Sequence, residues 1–143
     1  MPKYLLDTNV ISEYRATRPD PKVMRWLGEL DPASIYLSVI TIGEIKRGIG
    51  KLPASKRRSA LARWLEDEIL AQFEGRVMNI TTQTMLVWGE LLSRLDAIGR
   101  SIAGMDSLIA AIALENDLCL VTRNDSDFRD TGVQVINPWK LEK

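Results

Sequence analysis

Five short apolar runs, each bounded by helix-forming or turn-forming residues, constrain this chain more than any other feature. They are Tyr4–Asp7, Ile35–Val39, Val77–Ile80, Leu118–Thr122 and Val133–Ile136. Runs this short and rich in β-branched residues predict buried strands. The stretches between them carry helical periodicity. Leu61, Trp64, Leu65, Ile69 and Phe73 fall on one face behind Ser55 as a cap. Met85, Trp88, Leu92 and Leu95 repeat the pattern behind Thr82, and Gly99 supplies a stop. Leu108, Ile109, Ile112 and Ala113 mark a further helix ending near Asn116. Strands alternating with helices predict an α/β sandwich around a small, largely parallel sheet. No repeat, low-complexity tract or linker divides the 143 residues, so one domain spanning 1–143 is expected. The flexible points should lie around Arg18–Pro21 and Gly50–Pro53.

Nineteen basic and nineteen acidic side chains cancel, so no global charge excess advertises nucleic acid. Cys119 is the sole cysteine and cannot pair within the chain; its apolar neighbours Leu118 and Leu120 predict a buried strand thiol and a reducing compartment. No signal-like segment precedes Tyr4, and no apolar run approaches the roughly 20 residues that cross a bilayer. A cytoplasmic location follows as the expectation.

The chain contains no histidine, so chemistry at neutral pH must proceed without imidazole. What it offers instead are carboxylates at the ends of apolar runs. Asp7 follows Tyr4-Leu5-Leu6, Glu44 follows Leu37–Thr41, Asp106 opens the Leu108 helix, and Asp127 follows Leu120–Asn124. In parallel α/β sheets sites form where strands end and loops lead into helices. Each acid also has a plain structural explanation. Asp7 or Thr8 can cap a helix over Val10–Glu13, and Thr41-Ile42-Gly43-Glu44 has the form of a capping box. Asp106 can be an N-cap, and Asp127 can be turn chemistry. Were they to converge, two like charges 4 Å apart would repel by roughly 1 kcal/mol in water and about 4 at an effective dielectric of 20. Such a pocket needs a cation, and oxygen ligands alone select Mg²⁺ or Mn²⁺ over zinc.

Four blocks carry a family resemblance: Leu5-Leu6-Asp7-Thr8-Asn9-Val10-Ile11-Ser12-Glu13, Ile42-Gly43-Glu44-Ile45, Met105-Asp106-Ser107-Leu108-Ile109-Ala110-Ala111 and Val121-Thr122-Arg123-Asn124-Asp125-Ser126-Asp127-Phe128. In this order they resemble the motifs of PIN-domain ribonucleases, and Ile136-Asn137-Pro138-Trp139 looks like the tail of the VapC and FitB-like toxin branch. The resemblance implies a PIN-like α/β/α sandwich with an acidic pocket at one end of its sheet. It assigns Asp7, Glu44 and Asp106 to that pocket directly. Many members carry Asp where this chain has Asn124; others carry an acid three residues later, here Asp127. Asp127 is therefore taken as the fourth catalytic acid and metal ligand, Asn124 as a neutral contributor, and Asp125 ranks below both.

The resemblance further implies Mg²⁺-dependent hydrolysis of RNA by metal-activated water, leaving 5′-phosphate and 3′-hydroxyl ends. Asp7 and Asp106 would be the principal ligands, Glu44 and Asp127 would act through water, and Thr8 and Asn9 would orient the shell. It implies a homodimer silenced by a VapB-like or FitA-like antitoxin whose C-terminal segment covers the acidic pocket. A different function class is a catalytically degenerate PIN fold that only binds RNA or a partner, against which the retained acids speak.

One charge asymmetry points toward the substrate. Between Ile45 and Leu65 stand Lys46, Arg47, Lys51, Lys56, Arg57, Arg58 and Arg63 with no acid among them. They form either a solvated helix face or a phosphate-tracking rim, with Lys46 and Arg47 nearest the acidic pocket. The tryptophans Trp26, Trp64, Trp88 and Trp139 read as packing residues rather than base-stacking ones.

Overall fold

In a computed structural model that describes residues 2–141, every one of the five runs contains a strand. From the N-terminus, β1 (Tyr4–Leu6) leads into α1 (Thr8–Ile11), which tightens into a 3₁₀ turn over Ser12–Arg15. Next come α2 (Pro21–Gly28), β2 (Ile35–Ser38), α3 (Val39–Gly50) and α4 (Lys56–Arg63). A π-helical turn over Trp64–Ile69 joins α4 to α5 (Leu70–Gln72). Then follow β3 (Val77–Met78), α6 (Thr82–Ala97), α7 (Gly104–Glu115), β4 (Cys119–Val121), a 3₁₀ turn over Asp125–Phe128 and β5 (Val135–Ile136).

The strands form one sheet in the order β3-β2-β1-β4-β5, and every neighbouring pair is parallel. The expectation of a largely parallel sheet is met in full. From β1 the chain winds outward through β2 and β3, then returns to the other side of β1 for β4 and β5. The order thus reverses at β1, and a crevice opens beyond the strand ends at such a switch point.

Alternation along the strands sorts side chains between two helical layers. Leu6, Ile35, Leu37 and Val121 pack with Val10, Ile45, Leu61, Trp64 and Phe73 on one face. Leu5, Leu118 and Leu120 pack with Leu91, Leu95, Ile109 and Ile112 on the other. Buried on both faces, the sheet is continuously apolar, which is why its strands show no polar alternation.

Several local features depart from expectation for identifiable reasons. The helix over 61–73 is not uniformly α: its π turn closes bonds from i to i+5, which brings Trp64 and Ile69 onto the same buried face. The α6 cap is Thr81 rather than Thr82, because Thr81 and Thr84 satisfy each other's backbone N–H groups. Helix α2 has no apolar period long enough to predict it. Its signal is local: Asp20 accepts from the Lys22 N–H at 2.8 Å, and Pro21 occupies a first-turn position that needs no donor. Asp20 itself donates its N–H to Glu13 Oε2, so the Arg18–Pro21 segment is fixed at this end. Cys119 is half-buried rather than buried, since it opens β4 instead of sitting inside it. Among the described residues no helix is long and apolar enough to cross a membrane.

Candidate metal centre

Asp7 stands one residue past the end of β1, at the switch point of the sheet, and is only 6% exposed. Its backbone N–H extends the ladder to Val121 O at 2.9 Å, which fixes its position against β4. The carboxylate has two donors. Thr8 N–H reaches Oδ1 at 2.8 Å as α1 begins, and Thr122 Oγ1 reaches Oδ2 at 2.8 Å. Asp7 is therefore both a helix cap and a buried carboxylate facing the crevice.

The other acids are freer than the sequence allowed. Ser38 caps α3 by accepting from Thr41 N–H, so the helix starts before Thr41 and no capping box involves Glu44. Glu44 instead lies in the second turn, where its Oε1 accepts from Thr8 Oγ1 at 2.5 Å. Asp106 is not an N-cap either: α7 begins at Gly104 behind Ala103, whose side chain offers no cap. That leaves Asp106 in the first helical turn, where the positive end of the helix favours an anion. Because α7 leads into the start of β4, its N-terminus lies at the same end of the sheet as Asp7. Asp127 belongs to the exposed 3₁₀ turn that follows β4.

Electrostatics show that these four acids share one field. Burial pushes the Asp7 carboxyl up, the Thr122 and Thr8 hydrogen bonds pull it back, and the charges of Glu44 and Asp127 raise it again. Asp106 is pushed up to about 6, by burial first and then by Asp7, Asp127 and Glu44. Among the described residues no three acidic side chains are gathered tightly enough to form a ready-made cation cluster. Asp7 is turned onto Thr122 and Glu44 onto Thr8. None of the four has an ion-pair partner among the described residues. An oxygen-only donor set that raises Asp7 and Asp106 and forms no ion pair among the described residues fits a hard divalent cation.

The chain matches the PIN domain over residues 4–134. It belongs to the PIN-domain family. It is 35% identical over 136 residues to the VapC ribonuclease Y4jK of Sinorhizobium fredii, covering 95% of this chain and 97% of that protein. It is 36% identical over 135 residues to toxin FitB of Neisseria gonorrhoeae, covering 94% and 97% respectively. The crystal structure of FitAcB from Neisseria gonorrhoeae superimposes with a TM-score of 0.92 at 36% identity, covering 96% of this chain and 99% of that one. Metal dependence is general among PIN-domain nucleases of this kind.

Of the remaining site expectations for this PIN-domain chain, Asn9 makes no hydrogen bond to Asp7 among the described residues. It bridges to the β4 end, accepting from Arg123 N–H at 3.1 Å and donating to Thr122 Oγ1 at 3.4 Å. Asn124 is exposed, and its backbone N–H donates to Thr122 Oγ1 at 3.1 Å. Thr122 is therefore the junction of the centre, fully buried, and periodicity reads it only as the last residue of a strand. Asp125 is engaged elsewhere. Asn137 Nδ2 donates to it at 3.1 Å and Lys140 lies 3.2 Å away; these partners, Asn137 foremost, hold its carboxyl below the usual range.

The basic rim divides. Lys46 pairs with Glu66 at 3.3 Å, whereas Arg47 is exposed with no ion-pair partner among the described residues. Arg15 and Arg57 border a cavity of about 450 Å³ that Thr8 and Glu44 also line. All four tryptophans have packing roles. Trp64 is in the core, Trp26 meets Tyr4 edge-on, Trp88 donates to Ser107 Oγ at 2.8 Å, and Trp139 lies beneath Arg123.

Proposed function

We propose that this chain is a Mg²⁺- or Mn²⁺-dependent endoribonuclease, the toxin of a type II toxin–antitoxin pair acting in the cytoplasm. The observation that carries this reading is the set of Asp7, Glu44, Asp106 and Asp127 at the switch point of the sheet, where burial and the neighbouring acids raise the Asp7 and Asp106 carboxyls and no ion pair among the described residues engages any of the four. Likeness to proteins named a VapC ribonuclease and toxin FitB supports the activity.

Asp7 and Asp106 would hold the cation, with Glu44 and Asp127 contributing through water and Asn124 as a neutral neighbour. When bound, the cation supplies an acidified water as nucleophile and offsets charge developing on the phosphoryl oxygens. The chain's own residues do the rest. Thr122 and the Thr8 N–H oppose the effect of burial on Asp7 and so favour its ionised form. The Thr8 hydroxyl sets the direction of Glu44. Arg47, with Arg15 and Arg57 beside the neighbouring cavity, would track RNA phosphates without reading bases.

The same cavity supports an antitoxin segment lying across the centre. Ile45, Leu52, Leu61 and Trp64 give it an apolar wall beside Glu44, fitted to an apolar anchor next to a cationic one. The likeness to toxin FitB and to FitAcB supports a FitA-like or VapB-like partner, and the chain is taken to act as a homodimer.

The test is RNA cleavage by purified Asp7→Asn and Asp106→Asn. Each should fold and lose Mg²⁺-dependent cleavage; full activity in either would overturn the assignment. Arg47→Ala should weaken RNA binding and flatten its salt dependence, and an unchanged slope would remove Arg47 from the substrate path.

A further inference from the structure

Helix α6 ends in a left-handed residue whose consequences reach the acidic centre. Gly99 takes φ +69, and its N–H donates to Asp96 O at 3.1 Å while the Arg100 N–H donates back to Leu95 O at 2.9 Å. This pair of bonds fixes the backbone of Arg100 just beyond the helix. From there the guanidinium crosses to the turn that carries Asp127. Nε donates to Arg129 O at 3.0 Å, and Nη2 donates to Ser126 O at 3.2 Å and Asp127 O at 3.3 Å. Asp130 Oδ2 lies 3.5 Å from Nε. Three carbonyls in and just after the 3₁₀ turn, of which Ser126 O also accepts the Arg129 N–H at 3.4 Å, are thus gathered by one side chain.

Resting on the function proposed above, we infer that Arg100 is a positioning residue for the acidic centre: its guanidinium pins the Ser126–Arg129 turn and so sets where the Asp127 carboxylate stands. No hydrogen bond to the Asp127 side chain exists among the described residues, so the backbone of the turn alone determines its place. Below, the turn is anchored by Phe128, 2% exposed in the core. On the solvent side Arg100 adds to the turn's own bonds, Asp127 N–H to Asn124 O and Arg129 N–H to Ser126 O, in holding it. Arg100, Asp106 and Asp127 line one cavity of about 330 Å³, so a shift of the turn changes the separation of the two acids directly. Lysine cannot replace this fork, because an ammonium on a flexible stem does not present the planar set of donors that reaches several carbonyls together.

The experiment is a double-mutant cycle on the purified full-length chain, comparing wild type, Arg100→Lys, Asp127→Asn and the double variant. Arg100→Lys should lower Mn²⁺ affinity and single-turnover cleavage by about 10–100-fold, the range found when a residue supporting a metal ligand is lost. KM for RNA should stay within about twofold, since the loss is not one of substrate contact. In the Asp127→Asn background the Arg100 substitution should add nothing. Asp130→Asn, which leaves the three carbonyl bonds intact, should match wild type. Additive losses in the cycle, a loss confined to KM, or a collapse of the Arg100→Lys folding transition would each overturn the inference. An Asp127→Asn chain with wild-type cleavage would instead remove Asp127 from the centre, and the role of Arg100 with it.

Discussion

Thr122 Oγ1 donates to Asp7 Oδ2 at 2.8 Å and so ties the ends of β4 and β1 together across 115 residues of chain. The same hydroxyl oxygen accepts from Asn124 N–H and from Asn9 Nδ2. One buried atom therefore coordinates the strand end, the Asp127 turn and the first helix. In Thr122→Val the shape survives while Asp7 loses a donor and Asn124 an acceptor. Unfolding in urea should show a loss of about 1–3 kcal/mol, the cost of leaving buried polar groups unpaired. The Asp7 carboxyl should also titrate higher, so Mn²⁺ binding should need a higher pH than in wild type.

The raised carboxyls of Asp7 and Asp106 fix the sign of a pH dependence in the metal-free chain. A group with a folded-state pKa above its unfolded value stabilises the fold at low pH and stops doing so as pH rises through the folded pKa. For Asp106 that window runs from about 4, the ordinary carboxylate value, to about 6. With chelator present, the melting temperature should fall between about pH 4 and pH 6.5 through this contribution, and Asp106→Asn should flatten the fall. Mn²⁺ should reverse it, because the cation binds the deprotonated acids and releases protons. A metal-free melting temperature equal across this window in wild type and variant would contradict the electrostatics.

Asp125 and Asp127 sit two residues apart and should behave oppositely. Asp125 is engaged by Asn137 and Lys140, whereas the Asp127 charge acts on Asp7 and Asp106. Asp125→Asn should leave the cleavage rate unchanged, and Asp127→Asn should lower it. Rates measured on both variants at saturating Mg²⁺ decide which acid forms the fourth corner.

Arg76 provides a contrast in which structure changes without chemistry. Its guanidinium donates to Pro32 O, Ile35 O and Gln72 O, each at 2.6 Å, and lies 4.9 Å over the Phe73 ring. It clasps the β2 entry to the end of α5, at the opposite end of the strands from the acids, which follow strand ends. Arg76→Ala should cost about 2–3 kcal/mol of stability through lost charged hydrogen bonds. Mn²⁺ affinity at a temperature where the variant is folded should not change.

The strands were legible because each is a short buried run, and the helices because their apolar faces recur at helical spacing. Helix starts were less so. Whether Glu44 and Asp106 are caps or ligands depends on whether α3 begins at Val39 or Ile42, and α7 at Gly104 or Ser107. Such choices are made by backbone bonds and neighbouring caps, and periodicity does not register them to within a turn. The motif order pointed to the four acids, but not to the residues that hold them. Thr122 reads as a strand residue, and Arg100 spends its donors on carbonyls 26–29 residues away, a partnership without a sequence pattern. The π turn at Trp64–Ile69 is likewise invisible, since the apolar spacing there suits an ordinary helix equally well.

The most direct measurement is a calorimetric titration of Mn²⁺ into the metal-free full-length chain at about pH 7.5, above the value of about 6 to which Asp106 is pushed, beside Asp7→Asn. Saturable binding with proton release in wild type, lost in Asp7→Asn, is the expected result. Absence of binding in wild type, or equal binding by the two chains, would contradict a cation centre built on Asp7.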